Sequence, residues 1–301
     1  MRKVIFPRSR PNSSEQYLYH YTKAEIALKC ILPARTLRAR SFVHMNDPRE
    51  SKEWRFAPIA RTGEDIDSYA MVEYNDALSK RAHDAGRLAQ QIVKVLAFST
   101  DDQACAPYAN EESVNLRGFA HSAMWYHYAE KHTGVCLVLD KARFSAAVER
   151  WAMRPENLKV RDSVFHGLVQ YKERWWPELP IGGTAYVLED SGRSLQFETF
   201  THIRRFWREL LLEKSTDWSY EREYRWLFLA EGPDHLDVFF DDALVGIVVG
   251  ADFGRDQGTD KEVESAFRDL DLGCRSLNIS LKQIFWSNGV AYLASRNWRR
   301  R

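Results

Sequence analysis

Three short, almost unbroken apolar runs constrain this chain most: VLAFST (Val95–Thr100), GVCLVLD (Gly134–Asp140) and LVGIVVG (Leu244–Gly250). Each has strand length rather than helix length and carries β-branched or aromatic residues, as strands buried in a sheet do. Segments of helical spacing separate them. The region from about Asp65 to Val93 places Ala70, Met71, Tyr74, Ala77 and Leu78 on one face. KARFSAAVERWA (from Lys141), FETFTHIRRFWRELLLEK (from Phe197) and KEVESAFRDL (from Lys261) also read as helices, as does KAEIALKCIL near the start. SAMWYHYAEKH reads as a helix stopped by Gly134 at a C′ position. Shorter strand patterns fill the remainder: LYHYT (Leu18–Thr22), LRARSF (Leu37–Phe42), VRDSVFHGLVQY, WSYEREYRW (Trp218–Trp226) and SLNISLKQIFW. No repeat, low-complexity tract or Pro/Gly-rich linker interrupts this interleaving. The expected fold is therefore α+β: a single domain over 17–301 around a mixed sheet flanked by helices, preceded by a flexible basic arm over 1–16.

At 45% apolar and 13% aromatic residues, the 301-residue chain has ample core and is not disordered. A net charge of +1 gives no whole-surface field for nucleic acid or an anionic membrane. The four cysteines, Cys30, Cys105, Cys136 and Cys274, form no CxxC pair, so neither a zinc knuckle nor a disulfide framework is expected. No apolar run approaches the roughly 20 residues that span a bilayer, and the first residues lack a signal pattern. The expectation is a soluble, cytoplasmic protein without membrane contact.

Within WSYEREYRW, a period of two puts Glu221, Glu223 and Arg225 on one face and the aromatics with Arg222 on the other. Two carboxylates then stand roughly 6.5–7 Å apart in the most aromatic part of the chain. One explanation is an edge strand whose glutamates pair with arginines, Arg225 among them. The other is catalytic: one carboxylate faces a developing positive charge while its neighbour orients a nucleophile, as in glycosidic-bond cleavage through an oxocarbenium-like transition state.

Other motifs narrow the chemistry. LYHYT sets His20 and Thr22 on one face, where they are either satisfied core residues or hydrogen-bonding groups for a polar ligand. NDPRE (Asn46–Glu50) has turn chemistry. The polar loop DDQACAPYANEESVNLRG, starting at Asp101, is long enough to suggest a mobile lid over 101–117. His121, His127 and His132 are spaced by six and five, which does not place metal-ligand pairs on one helix face, so no metal is expected. There is no GxxxxGK[ST], GxGxxG or GxSxG motif.

LYHYT, NDPRE, MWYHYA and WSYEREYR, in that order, resemble the boxes of an uncharacterised bacterial family, domain of unknown function 2971, over roughly Leu18 to Gly250. More distantly, a histidine on an early strand, a hydroxyl-bearing strand end and a late Glu-x-Glu resemble ADP-ribosyltransferases. That resemblance implies a split, mixed β-core with no Rossmann glycines and NAD as the substrate. It implies that His20 and Thr22 hold the dinucleotide and that Ser99 matches the middle strand. Glu223 is implied as the catalytic residue and Glu221 as the one that positions the acceptor. Tyr21 stands where the family has glycine, and Tyr21 or Trp125 would stack on nicotinamide.

The leading reading is an NAD-dependent ADP-ribosyltransferase-like enzyme or NAD glycohydrolase, in the manner of a bacterial toxin or phage-defence effector. Its acceptor would be a protein or nucleic acid, and an antitoxin or regulator would accompany it. Two alternatives come from other classes. One is a nucleic-acid-binding protein or nuclease using the Arg and aromatic residues of RRFWRE; the other is a non-catalytic interaction module with Glu221 and Glu223 on its surface. The enzyme reading expects His20 and Glu223 to face one cleft.

Overall fold

A computed structural model describes residues 16–52, 54, 68–102, 111–173, 194–253, 265, 268, 270–274 and 279–294. The apolar runs are strands, as their composition dictates. In chain order the strands are β1 (Tyr17–Thr22), β2 (Thr36–Ser41), β3 (Val93–Ser99), β4 (Val135–Asp140), β5 (Val164–Leu168), β6 (Gln170–Lys172), β7 (Glu213–Ser215), β8 (Glu223–Leu229), β9 (His235–Phe239), β10 (Leu244–Val249), β11 (Ser280–Ser287) and β12 (Val290–Ala294). Ten of them make one mixed sheet in the order β12-β11-β10-β4-β1-β3-β2-β9, with β8 added on β3 and β5 on β8. β10 and β11 run parallel, and β6 and β7 form a separate parallel pair.

The sheet forks at β3. One edge of β3 pairs with β8 along its whole length, from Val93↔Leu229 to Ser99↔Glu223. On the other edge, β2 meets only Lys94 and Val95, while β1 meets only Ser99. β1 gives its full length to β4 instead. Along Leu96–Phe98 that edge has no registered strand partner. There the His20 ring takes the place of a ladder bond, with Nδ1 3.2 Å from Ala97 O.

Alternation sorts side chains into layers. Leu96, Phe98, Tyr224, Trp226 and Phe228 face a core closed by Phe144, Val148 and Trp151 of the helix Lys141–Ala152. Asp140 caps that helix by accepting from Arg143 N at 3.0 Å. On the opposite face there are two separate clusters. Val93, Val95, Leu227 and Leu229 lie under the helices Ser68–Ile92 and Leu195–Leu211. Tyr17, Tyr19, Tyr21, Cys136 and Val138 lie under Phe119 and the helix Ser122–Tyr128. Each large apolar side chain buried in these layers contributes roughly 1.5–3 kcal/mol.

Several expectations are corrected. Trp218–Arg222 is not strand: Thr216–Glu221 forms a 3₁₀ turn and Arg222 is left-handed at φ 45, so β8 begins only at Glu223. The end of β3 holds that turn, with Ser99 Oγ donating to Glu221 O (2.5 Å) and both Thr100 N and Oγ1 donating to Arg222 O (3.0 Å). The SAMWYHYAEKH helix ends at Tyr128, because Glu130, Lys131 and His132 all have positive φ. Gly134 closes the turn after them, where a Cβ would lie 2.4 Å from Thr22 O. NDPRE is more than a turn, since Asp47 caps a one-turn helix, Pro48–Ser51. Three strands, β7, β9 and β12, fall where the sequence pattern offers none, and the run from Phe197 leaves the helix at Leu211, so that Glu213 and Lys214 belong to β7.

The expected lid has anchored flanks. Asp101 accepts from Tyr19 Oη (2.6 Å), Arg117 Nη1 (2.9 Å) and Gly118 N (2.9 Å), and Asn115 Oδ1 accepts from Ala291 N (2.7 Å). Residues 103–110 of that loop lie outside the described set, as do 1–15 of the expected arm and most of the helix expected from Lys261. No described helix is long and apolar enough to cross a membrane.

Candidate functional site

The gap in strand pairing opens into a cavity of about 220 Å³. Its walls draw on both alternation sets of β1 (His20 with Tyr19 and Tyr21) and on every position from Val95 to Ser99 of β3. A pocket on one face of a continuous sheet would not meet both. His20 and Glu223 line this same cavity, as the enzyme reading expects, and so do Tyr21, Ser99 and Glu221.

Two expected ligand-holding residues are not there. Thr22 is buried in the β1–β4 pairing and does not line the cavity. Trp125 is fully buried, packs edge-on against Tyr21 and Trp286, and donates its indole N–H to Phe119 O. It cannot stack on a ligand, because the same apolar surface that made it a candidate went into the core.

His20 carries its proton on Nδ1, since its partner Ala97 O can only accept, which leaves Nε2 as an acceptor. Burial pushes its pKa below the usual imidazole value, so the ring is neutral at pH 7. The hydroxyls of Ser99 and Tyr21 already donate to Glu221 O and to Gly118 O (2.6 Å).

The floor is a buried charge cluster. Although Trp218–Arg222 is not a strand, Glu221 and Glu223 both reach Lys214 Nζ, at 2.6 and 3.4 Å. Arg225 grips Glu223 through both carboxylate oxygens, Nε–Oε1 at 2.7 Å and Nη2–Oε2 at 2.8 Å. Arg225 Nη2 also lies 2.6 Å from Glu50 Oε1, and its Nη1 donates to Leu211 O at 2.8 Å. The Tyr128 hydroxyl donates to Glu221 Oε1. Relative exposures are 3% for Glu221, 4% for Glu223 and 0% for Arg225, so solvent screens little of this. The arginine pairing expected of the glutamates is present for Glu223 alone, and in the interior rather than on a surface edge; Glu221 pairs with Lys214 instead.

Three carboxylates thus face two cations among the described residues, leaving one net negative charge when all are ionised. The two glutamates are unequal. Although burial opposes ionisation of Glu223, Arg225 and Lys214 hold its carboxyl below the usual range. Burial raises Glu221 above that range despite Lys214, with Glu223's charge adding to the rise. Burial raises Glu50 as well.

Sequence reasoning missed five participants. Lys214 hides in an apolar run, LLLEKS, and Tyr128 reads as packing. Glu50 reads as part of a turn, yet the Asp47 cap turns it into the cluster. Arg38 and Arg40 line the cavity from β2 as alternate residues, a pattern that also fits solvated strand charges. No group of His, Cys, Asp and Glu suited to a metal ion occurs among the described residues.

The model of a family described as protein of unknown function (DUF2971) matches residues 124–226. That span holds the MWYHYA and WSYEREYR boxes and, with them, Tyr128, Lys214, Glu221, Glu223 and Arg225; LYHYT and NDPRE lie outside it. No curated protein and no solved structure matches the chain.

Proposed function

We propose that the chain is an ADP-ribosyltransferase-like enzyme that cleaves the N-glycosidic bond of NAD in the cavity at the fork. The carrying observation is Glu221: a buried carboxylate on the cavity wall, hydrogen-bonded by Tyr128 and Lys214, in a cluster with surplus negative charge. A carboxylate so fixed stabilises positive charge developing on the ribose more than it stabilises neutral ground-state sugar.

The roles of the two glutamates are therefore exchanged relative to the family resemblance. Glu223 spends both oxygens on Arg225 and holds Lys214, so it positions the cluster. Glu221 faces the developing cation. Neutral His20 offers Nε2 to a ribose hydroxyl, and Tyr21 and Ser99 shape the wall. With water as nucleophile the reaction is NAD hydrolysis; with a protein or nucleic-acid acceptor it is transfer, the activity of a toxin or defence effector that a cognate regulator would restrain.

A second reading, nucleic-acid binding, draws on Arg204, Arg205 and Arg208, exposed along the helix Leu195–Leu211 beside the half-buried Trp207. It predicts RNA or DNA binding that weakens steeply with salt. The interaction-module reading needs surface glutamates, and burial of Glu221 and Glu223 speaks against it.

The test is incubation with NAD, alone and with cell lysate, while nicotinamide release and labelled acceptor are followed. Glu221→Gln should lower cleavage by about 10²–10³, the scale of losing one electrostatic stabiliser, with NAD affinity little changed. No release by the wild-type protein, or equal release by the variant, overturns the proposal.

A further inference from the structure

The cavity has two electrical poles. Its floor carries Glu221 and the surplus negative charge, whereas its β2 wall carries arginines. On β2, Leu37 and Ala39 are buried while Arg38 and Arg40 point outward to the cavity, roughly 6.5–7 Å apart. Arg38 Nε is held by Asp237 Oδ1 at 3.0 Å, and His44, also on the wall, is paired with Asp234. Arg40 differs: among the described residues no acid pairs with its guanidinium, although its backbone is in register with His235 of β9. A planar, permanently charged donor fork at a cavity wall without a carboxylate is suited to a phosphate.

Size and spacing limit what that phosphate belongs to. At about 220 Å³ the cavity is below the roughly 300–1,000 Å³ of sites for drug-sized ligands. It does not enclose a dinucleotide. Val95 pairs with Arg40 and Ser99 Oγ donates to Glu221 O, so the two poles stand four residue steps apart on β3, roughly 13 Å along the strand. An arginine and a glutamate reaching inward from those ends leave room for one ribose and its 5′-phosphate.

We infer that the cavity recognises a nucleoside 5′-monophosphate unit, with Arg40 as the residue that selects phosphorylated over unphosphorylated ribosides. The placement of the ribose rests on the proposed function; the phosphate contact rests on the β2 wall alone. In NAD, the nicotinamide mononucleotide half occupies the cavity, and the remaining nucleotide lies outside it.

Equilibrium binding tests this with nicotinamide mononucleotide, nicotinamide riboside, AMP and adenosine as probes, on wild type, Arg40→Gln and Arg40→Lys. The wild type should bind each phosphorylated probe about 10- to 100-fold more tightly than its nucleoside, the scale of a charge-assisted bidentate contact. Inorganic phosphate should compete. Arg40→Gln should abolish the difference without altering nucleoside affinity or the thermal unfolding midpoint, and Arg40→Lys should retain part of it. Equal binding of phosphorylated and unphosphorylated probes by wild type, no binding of either, or a preference that survives Arg40→Gln overturns the inference. Because the readout is binding, a retained preference without nicotinamide release supports the phosphate site even as it defeats the cleavage reaction.

Discussion

Replacing Arg225 with Met keeps most of the side-chain volume and removes the cation that two carboxylates share. Glu223 loses its bidentate partner and keeps only Lys214 at 3.4 Å, while Glu50 keeps only Lys214 at 3.9 Å. The cluster then carries three carboxylates against one cation. Removing one partner of a buried pair costs about 3–5 kcal/mol. Proton uptake limits that cost, because protonating an ordinary carboxylate at pH 7 requires only about 3.7 kcal/mol, at 1.36 kcal/mol per unit above a pKa near 4.3. The expected deficit is therefore about 3–4 kcal/mol at pH 7. It should fall to about 1.5–2 kcal/mol at pH 5.5, where protonation is easier.

The sign distinguishes variant from wild type. In the wild type Glu223 is held below its unfolded pKa, so its contribution is present above that value and lost as pH falls through the folded one. In the variant the orphaned carboxylate is raised instead, so relative stability is greatest in acid and is lost as pH rises. Urea unfolding followed by tryptophan fluorescence at pH 7 and 5.5 measures both deficits from the midpoints. Adding Glu223→Gln to Arg225→Met should recover more than half of the loss at pH 7. A deficit under about 1 kcal/mol at pH 7, or one that does not shrink at pH 5.5, refutes the charge-cluster reasoning.

Tyr128→Phe removes a hydroxyl that favours ionised Glu221, whose carboxyl is already raised by burial. The acid limb of NAD cleavage, expected above the ordinary carboxylate range, should move up by about one pH unit, given the strength of hydrogen bonds to charged groups. A pH profile with an unmoved acid limb would count against Glu221 as the ionised group. Gly134→Ala places a Cβ 2.4 Å from Thr22 O and 2.9 Å from the Ala129 backbone, which must shift. A loss of about 1–3 kcal/mol is expected from urea unfolding, and an unchanged midpoint would mean that the turn yields freely.

The strand runs and most helices were legible because period and composition are local: VLAFST, GVCLVLD and LVGIVVG became β3, β4 and β10, and KARFSAAVERWA became a helix over its whole length. WSYEREYRW misled for an equally physical reason. Its alternation is genuine, yet Ser99 and Thr100, over a hundred positions upstream, bind the carbonyls of Glu221 and Arg222 and hold a 3₁₀ turn there. Trp125 and Tyr128 belong to one short helix, but only packing decided that one closes the core and the other meets a carboxylate.

Sequence by itself determined an α+β chain around a mixed sheet, free of nucleotide-binding glycine loops, with carboxylates and a histidine as its chemically expressive residues. Which of those groups meet was decided by the tertiary structure. His20 reaches the cavity because β1 leaves β3 to pair with β4, and Glu221 joins Glu223 because both reach Lys214. Charge balance in a buried cluster is a sum over distant segments: Glu50, Lys214 and Arg225 come from three elements. No local pattern contains that sum, so the distinction between a Glu223 clamped by Arg225 and a Glu221 held by Tyr128 and Lys214 exists only once the chain is folded.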